Sequence, residues 1–166
     1  MTKGKMFVVV GHKHWGKSET LKALSGGKRL GWLEINSHVF FIKRMSNDDI
    51  PKDFFKLLNE LDPEKKPNVI LALCPTFEKE DLRTKLVNAL NGLKVKYDIF
   101  FFVLRYSYKG DRTISDDEIT SLETFGPVKI CKESKAESKL RAEEFRGFIT
   151  RYLSIPIHKA NISGAF

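Results

Sequence analysis

The chain has 166 residues, 42% of them hydrophobic and 30% charged, which is the size and composition of one domain with its own core. No apolar run approaches the ~18 residues of a membrane span, and the N-terminus lacks the apolar region of a signal peptide, so we expect a cytoplasmic protein without a membrane segment. Much of the net charge of +8 lies in the first 29 residues, which contain seven Lys or Arg and a single acid, Glu19. This favours a polyanionic ligand near that end.

Six short segments have the pattern of strands. They are Met6–Val10, Trp32–Ile35, Val39–Lys43, Asn68–Leu73, Tyr97–Leu104 and Pro127–Cys131. The first, fourth and fifth are almost purely apolar, which is typical of strands buried on both faces of a parallel sheet. The second and third are joined by Asn36-Ser37 and predict an antiparallel hairpin at the sheet edge. Cys74 and Cys131 form no CxxC pair, and we expect two buried, reduced thiols.

Five segments between these strands have the pattern of helices. They are Gly16–Leu24, Asp48–Leu61, Glu78–Asn91, Ser115–Phe125 and Ser134–Leu153. The third is expected to stop at Gly92, and the last two begin with capping boxes at Ser115 and Ser134. The apolar stripe of the last helix is predicted to contain Leu140, Phe145, Phe148, Ile149 and Tyr152.

The alternation of strands and helices predicts one three-layer α/β/α domain over residues 1–155, with a mostly parallel sheet and an antiparallel edge hairpin. Residues 156–166 are expected to form a C-terminal tail.

The most informative motif joins the first strand to the first helix. It is Gly11-His12-Lys13-His14-Trp15-Gly16-Lys17-Ser18, which matches G-x-x-x-x-G-K-[ST]. Two glycines let the backbone curl so that its N–H groups surround a phosphate, and the following helix adds its positive end. Lys17 can reach the β- and γ-phosphates, and Ser18 can ligate Mg²⁺.

At these eight residues the chain resembles the P-loop NTPase superfamily. The resemblance implies a P-loop NTPase-like fold and a nucleoside triphosphate bound with Mg²⁺ by residues 11–18 and the adjacent Glu19. It also implies that Lys17 faces ligand and solvent.

The four variable positions of the motif are bulky. Lys13 adds a second cation near the phosphates. Trp15 is expected to pack over the loop, with stacking on a base or partner as the alternative. His12 and His14 have the alternative of a metal pair, for which the sequence places no third ligand.

The same resemblance implies an acid at the end of a second buried strand, where it would orient Mg²⁺. The strand Asn68–Leu73 runs instead into Cys74-Pro75-Thr76. Asp98 stands before Ile99 at the amino end of its strand, on the edge opposite to the one where ligands collect. The possible substitutes are Glu34, Asp48, Asp49 and Glu78. The guanine-reading Asn-Lys-x-Asp motif is also missing, which favours ATP over GTP.

A basic segment, Arg105–Arg112, leaves the carboxyl end of a predicted buried strand. In small P-loop kinases an arginine-bearing lid closes over the phosphates, and Arg105 or Arg112 would then stabilise the transferring group. An ordinary basic loop is the alternative. By position alone, Cys131–Ser134 is a candidate for contact with the nucleotide base.

Three functions remain open from the sequence. The first is an ATP-dependent phosphotransferase or NTPase with an unidentified acceptor. The second is a nucleotide-gated binding module with little hydrolysis, which the missing acid favours. The hairpin Trp32–Met45 would offer a protein-partner surface, with core packing of its Phe residues as the alternative. The third, a nucleic-acid binder, has only the basic charge in its favour, because no nucleic-acid-binding motif is present.

Overall fold

The computed structural model describes residues 2–28, 31–107, 112–132 and 137–154. These residues form an α/β domain with six strands and five helices. The strands are β1 (Gly4–Val10), β2 (Trp32–Ile35), β3 (His38–Ile42), β4 (Asn68–Leu73), β5 (Tyr97–Val103) and β6 (Val128–Ile130). The helices are α1 (Lys17–Leu24), α2 (Pro51–Glu60), α3 (Glu80–Lys96), α4 (Asp116–Glu123) and α5 (Ser138–Leu153).

The strands form one sheet in the order β2-β3-β4-β1-β5-β6. All neighbours are parallel except β2 and β3, which confirms the predicted edge hairpin. The hairpin turn has positive φ angles at Asn36 (47°) and Ser37 (65°), as a two-residue turn between twisted strands requires. β1 pairs with β4 and β5 along nearly its whole length, so it is a central strand. Its apolar side chains are buried on both faces because helices pack on each of them.

Helices cover both faces of the sheet. The crossovers from β3 to β4, β4 to β5 and β5 to β6 place α2, α3 and α4 on one face, whereas α1 and α5 pack on the other. The crossover through α1 runs from β1 back towards β3, opposite to the other three, so a uniform crossover handedness places α1 on the other face. α5 follows the last strand and packs beside α1. β1 and β4 are therefore neighbours whose following helices lie on opposite faces, and a crevice opens between their carboxyl ends. Sheets of this kind bind ligands in such a crevice.

The strand predictions agree with the structure to within two residues, whereas three helix ends were predicted wrongly. α2 begins at Pro51 and not at Asp48, because proline suits the first turn of a helix and the residues before it form a turn. α3 does not stop at Gly92 but continues to Lys96, because Leu93 provides a further buried contact. α5 begins at Ser138 with Glu137 as its N-cap, so the capping box expected to open it at Ser134 does not start the helix. Residue 134 itself lies outside the described residues. The capping box at Ser115 is confirmed.

Burial also differs from the prediction at the start of α5. Leu140 is exposed, and the adjacent Arg141 is fully buried. The Nε atom of Arg141 donates to the hydroxyl of Thr20 on α1 (2.9 Å), so this cation is held between the two helices of one face. Cys74 and Cys131 are both buried thiols, as expected.

Two further predictions concern the whole chain. No helix within the described ranges is long and apolar enough to cross a membrane. The expected tail, residues 156–166, lies outside those ranges.

Gly126 tests how closely the segment before β6 packs against β5. A Cβ atom there would lie 1.9 Å from the backbone carbonyl oxygen of Ile99, which a side-chain rotation cannot relieve. We expect Gly126→Ala to lower the free energy of unfolding by about 1–3 kcal/mol or more in urea titrations. The matched control is Gly92→Ala, because Gly92 lies inside α3 with open space around it; that change should raise stability by roughly 0.5–1 kcal/mol. Equal effects of the two substitutions would contradict this packing.

Candidate functional site

The motif loop leaves the sheet at the crevice between β1 and β4. The N–H of Gly11 donates to the carbonyl of Leu73 (3.0 Å), and the N–H of Trp15 then donates back to the carbonyl of His12 (3.2 Å). Positive φ angles at His14 (66°) and Gly16 (92°) turn the chain into α1, which begins at Lys17. Glycine suits position 16 because it adopts such an angle without steric cost.

The ammonium group of Lys17 lies inside this loop. Its Nζ donates to the carbonyls of Gly11 (2.6 Å) and His12 (3.0 Å) and lies 3.6 Å from Oδ2 of Asp48. The side chain is only 8% exposed, so the expectation that Lys17 faces solvent was wrong. The physical reason is that two carbonyls and one carboxylate surround the charge, and a buried cation needs such partners.

A cleft of about 350 Å³ opens beside the start of α1. Its walls are formed by Lys13, His14, Gly16, Lys17, Ser18, Glu19, Arg44, Asp48 and Asp49. Most of the predicted binding residues thus meet at one cleft. Gly11 and Trp15 are instead buried. Trp15 packs rather than projects, as expected, but it lies in the core below the loop, on the α3 and α4 face, and not over the loop.

Two of the four possible substitute acids line the cleft. Asp48 and Asp49 lie in the turn that follows β3, whereas Glu34 lies on the exposed edge strand β2 and Glu78 is exposed after β4. Asp98 pairs in register with Lys5 near the amino end of β1, on the edge opposite the loop, as predicted. The acid paired with Lys17 therefore comes from the turn after β3, a strand that is not a neighbour of β1.

The structure does not bring the two predicted catalytic arginines into the cleft. The guanidinium of Arg105 is paired with the carboxylate of Asp116. Arg105 and Arg112 lie on two backbone arms that are joined by hydrogen bonds from Ile114 N–H to Arg105 O (2.8 Å) and from Ser107 N–H to Arg112 O (3.1 Å). The tip between these arms, residues 108–111, lies outside the described residues.

Arg44 is the arginine that lines the cleft in the described part of the chain, and sequence reasoning missed it. Arg44 follows β3, and its guanidinium also donates to the carbonyl of Lys28. The available signal was positional: in a parallel sheet the loop after β3 reaches the same edge as the loops after β1, β4 and β5.

A second cluster lies beneath the loop, around the ring of His12. The Nδ1 atom of His12 is 3.6 Å from the thiol of Cys74, and its Nε2 atom is 3.9 Å from Oε2 of Glu118. The His12 and Trp15 rings pack edge to face, with their centroids 4.9 Å apart. Burial, and then the charges of Arg112 and Lys17, lower the pKa of His12. Burial raises the pKa of Cys74 to about 11, so this group is a thiol at neutral pH.

Glu118 is the most unusual member of this cluster. It is 4% exposed, and within the described ranges its Oε2 atom has no hydrogen-bond partner. Burial raises its pKa. The described residues contain no group of three His, Cys, Asp or Glu that could hold a metal ion, so the alternative of a metal pair at His12 and His14 gains no third ligand.

No family model, curated protein or solved structure matches this chain. The candidate function therefore depends on the geometry of the loop and cleft.

The buried carboxyl of Glu118 predicts a pH-dependent stability. Because its folded pKa is raised, the stability that the protonated form contributes is present at low pH and is lost as the pH rises through the folded pKa. Glu118→Gln removes this loss and keeps a capping-box residue. The variant should melt at a higher temperature than the wild type at pH 7, and the difference should shrink towards pH 4.

Circular dichroism at both pH values measures this difference. The lowered pKa of His12 also destabilises the protein as the pH falls below its ordinary value, so the variant is compared with the wild type at each pH separately. Glu123→Gln, at an exposed position of the same helix, is the control and should show little difference at either pH. A melting temperature of Glu118→Gln equal to that of the wild type at pH 7 would count against a buried, ionised Glu118.

Proposed function

We propose that this chain is a P-loop NTPase-like domain that binds a nucleoside triphosphate, ATP rather than GTP, together with Mg²⁺, and acts as a phosphotransferase or NTPase. One observation carries the proposal: the octapeptide curls at the carboxyl end of central β1, with the ammonium of Lys17 inside it and the hydroxyl-bearing Ser18 at the adjoining cleft. This combination suits a polyphosphate, because it joins a helix N-terminus to a fixed cation.

In this proposal the phosphates enter the cleft beside the first turn of α1. The N–H groups of that turn have no partners within the helix and are available to an anion. Lys17 exchanges the carbonyls of Gly11 and His12 for phosphate oxygens. Lys13 and Arg44 add positive charge to the cleft walls.

The residues present fit Mg²⁺. Ser18 and Asp48 offer hard oxygen donors on the same cleft, and the described residues contain no metal cluster made of protein ligands alone. Mg²⁺ in such sites is commonly held by one or two carboxylates together with substrate phosphates. When bound, the ion would neutralise charge on the phosphates, while Asp48 would hold it beside Ser18.

A nucleotide-gated binding module is the second candidate function. It is favoured by the end of β4, where Cys74 stands in place of an acid, so that the carboxylate paired with Lys17 comes from the turn after β3. Phosphate release from ATP·Mg²⁺, measured alone and with a panel of nucleosides and nucleotides, separates the two. Turnover supports the enzyme, and tight binding without turnover supports the module.

Binding itself is tested by calorimetry with ATP in the presence of Mg²⁺. We expect Lys17→Met, which keeps an apolar stem in the buried loop, to weaken ATP roughly 10- to 100-fold, since it removes a charge-assisted hydrogen bond to phosphate. Lys22→Met, at the last turn of the same helix, is the control and should change affinity less than about twofold. Absence of any heat with nucleoside triphosphates in the folded wild type would overturn the proposal.

The two arginine positions give a second binding test. Arg44→Ala should weaken ATP about tenfold, because Arg44 lines the cleft. Arg105→Ala should leave the affinity within about twofold, because its guanidinium is engaged by Asp116. Circular dichroism verifies that both variants fold. A larger loss for Arg105→Ala would favour the predicted lid over the observed cleft wall.

A further inference from the structure

The carboxylate of Asp48 reaches Lys17 by an indirect route. It belongs to the segment after β3, and β4 lies between β3 and β1. The segment first follows β4, where the N–H of Lys43 donates to the carbonyl of Ile70 (3.0 Å). It must then cross the carboxyl end of β4 to bring Asp48 to the motif loop. A contact that holds the segment at this crossing would decide where the carboxylate lies.

Asn47 makes that contact with both ends of its side-chain amide. Its Oδ1 atom accepts a hydrogen bond from the N–H of Cys74 (2.7 Å), and its Nδ2 atom donates to the carbonyl of the same residue (3.0 Å). Asn47 is 5% exposed, and Cys74 is 6% exposed. The two bonds therefore lie away from water, where losing either would leave a backbone group of Cys74 unpaired at a cost. An amide side chain offers a donor and an acceptor side by side without carrying a charge, which this arrangement requires.

The turn that contains Asn47 also fixes the orientation of the next residue. The N–H of Asp49 donates to the carbonyl of Ser46 (3.2 Å), which closes the turn. The hydroxyl of Ser46 donates to Oδ1 of Asp48, while Oδ2 of Asp48 faces the ammonium of Lys17. One carboxylate oxygen is thus engaged within the turn, and the other is presented to the site.

We infer that Asn47 is a positioning residue, which clamps the turn after β3 to the end of β4 and thereby holds Asp48 where it can meet Mg²⁺ on a bound triphosphate. The inference rests on the proposed function. It explains how a chain with Cys74 at the end of β4 still presents a carboxylate beside the motif loop. Asn47 touches neither phosphate nor metal in this arrangement and acts through Asp48.

The test compares ATP affinity with Mg²⁺ and with EDTA, because the ratio isolates the contribution of the ion. We call this ratio of the two ATP affinities the Mg²⁺-dependent gain, and we expect Asn47→Ala to lower it about tenfold. Affinity in EDTA should stay equal or become slightly tighter, since a negative charge moves away from the phosphates. A purely structural role would weaken both conditions alike. Asn68→Ala is the matched control. The side-chain amide of Asn68 also joins β4 to β3, by donating to the carbonyl of Val39 (3.3 Å), but Asn68 lies at the amino end of β4, away from the cleft. It should leave the gain unchanged.

A double-mutant cycle identifies the residue through which Asn47 acts. In an Asp48→Asn background, Asn47→Ala should cause no further loss of the Mg²⁺-dependent gain, because residues that act as one unit are not additive. Additive losses would overturn the inference, and so would an undiminished gain in Asn47→Ala. Where Asn47→Ala does not fold, Asn47→Ser, which can keep one of the two bonds, provides the same comparison and should show an intermediate gain.

The wild type separates this inference from the proposed function. A wild-type protein that binds no triphosphate under either condition refutes the proposed function and removes the basis of the inference. A wild type with a clear Mg²⁺-dependent gain, together with an Asn47→Ala variant that keeps it, refutes the role of Asn47 alone.

Discussion

The buried ammonium group of Lys17 is the interaction on which the candidate site depends. A cation that is 8% exposed is costly unless polar groups surround it, and here the carbonyls of Gly11 and His12 and the carboxylate of Asp48 do so. These contacts connect the start of the loop, the first residue of α1 and the turn after β3. The same charge therefore fixes the curl of the loop and draws an acid towards it.

The fold was largely predictable because its strongest signals are local. Strands buried on both faces are almost purely apolar, and Asn36-Ser37 marks the hairpin turn. The errors occur where distant contacts decide. Helix α3 passes Gly92 because Leu93 packs into the core, and Arg141 is buried in preference to Leu140 because Thr20, on another helix, accepts a hydrogen bond from it. A stripe of apolar residues along one helix contains no information about such a partner.

The candidate site was only half predictable for a related reason. The octapeptide is continuous in sequence, so its spacing could be recognised. The choice among Glu34, Asp48, Asp49 and Glu78 depended on strand order, and local sequence does not reveal that β4 separates β3 from β1. Asn47 bonds to a residue 27 positions away, and nothing in its neighbourhood indicates that partner.

The bulky variable residues of the motif have a physical explanation in how the loop is anchored. Trp15 is buried in the core formed with α3 and α4, and its ring meets that of His12, which faces inward towards Cys74 and Glu118. The loop is thus attached to the sheet from below by aromatic packing and closed from inside by Lys17. Lys13 and His14 line the cleft instead. The outer two variable positions thus face the core and the middle two face the cleft, so the loop shape follows from packing as well as from its glycines.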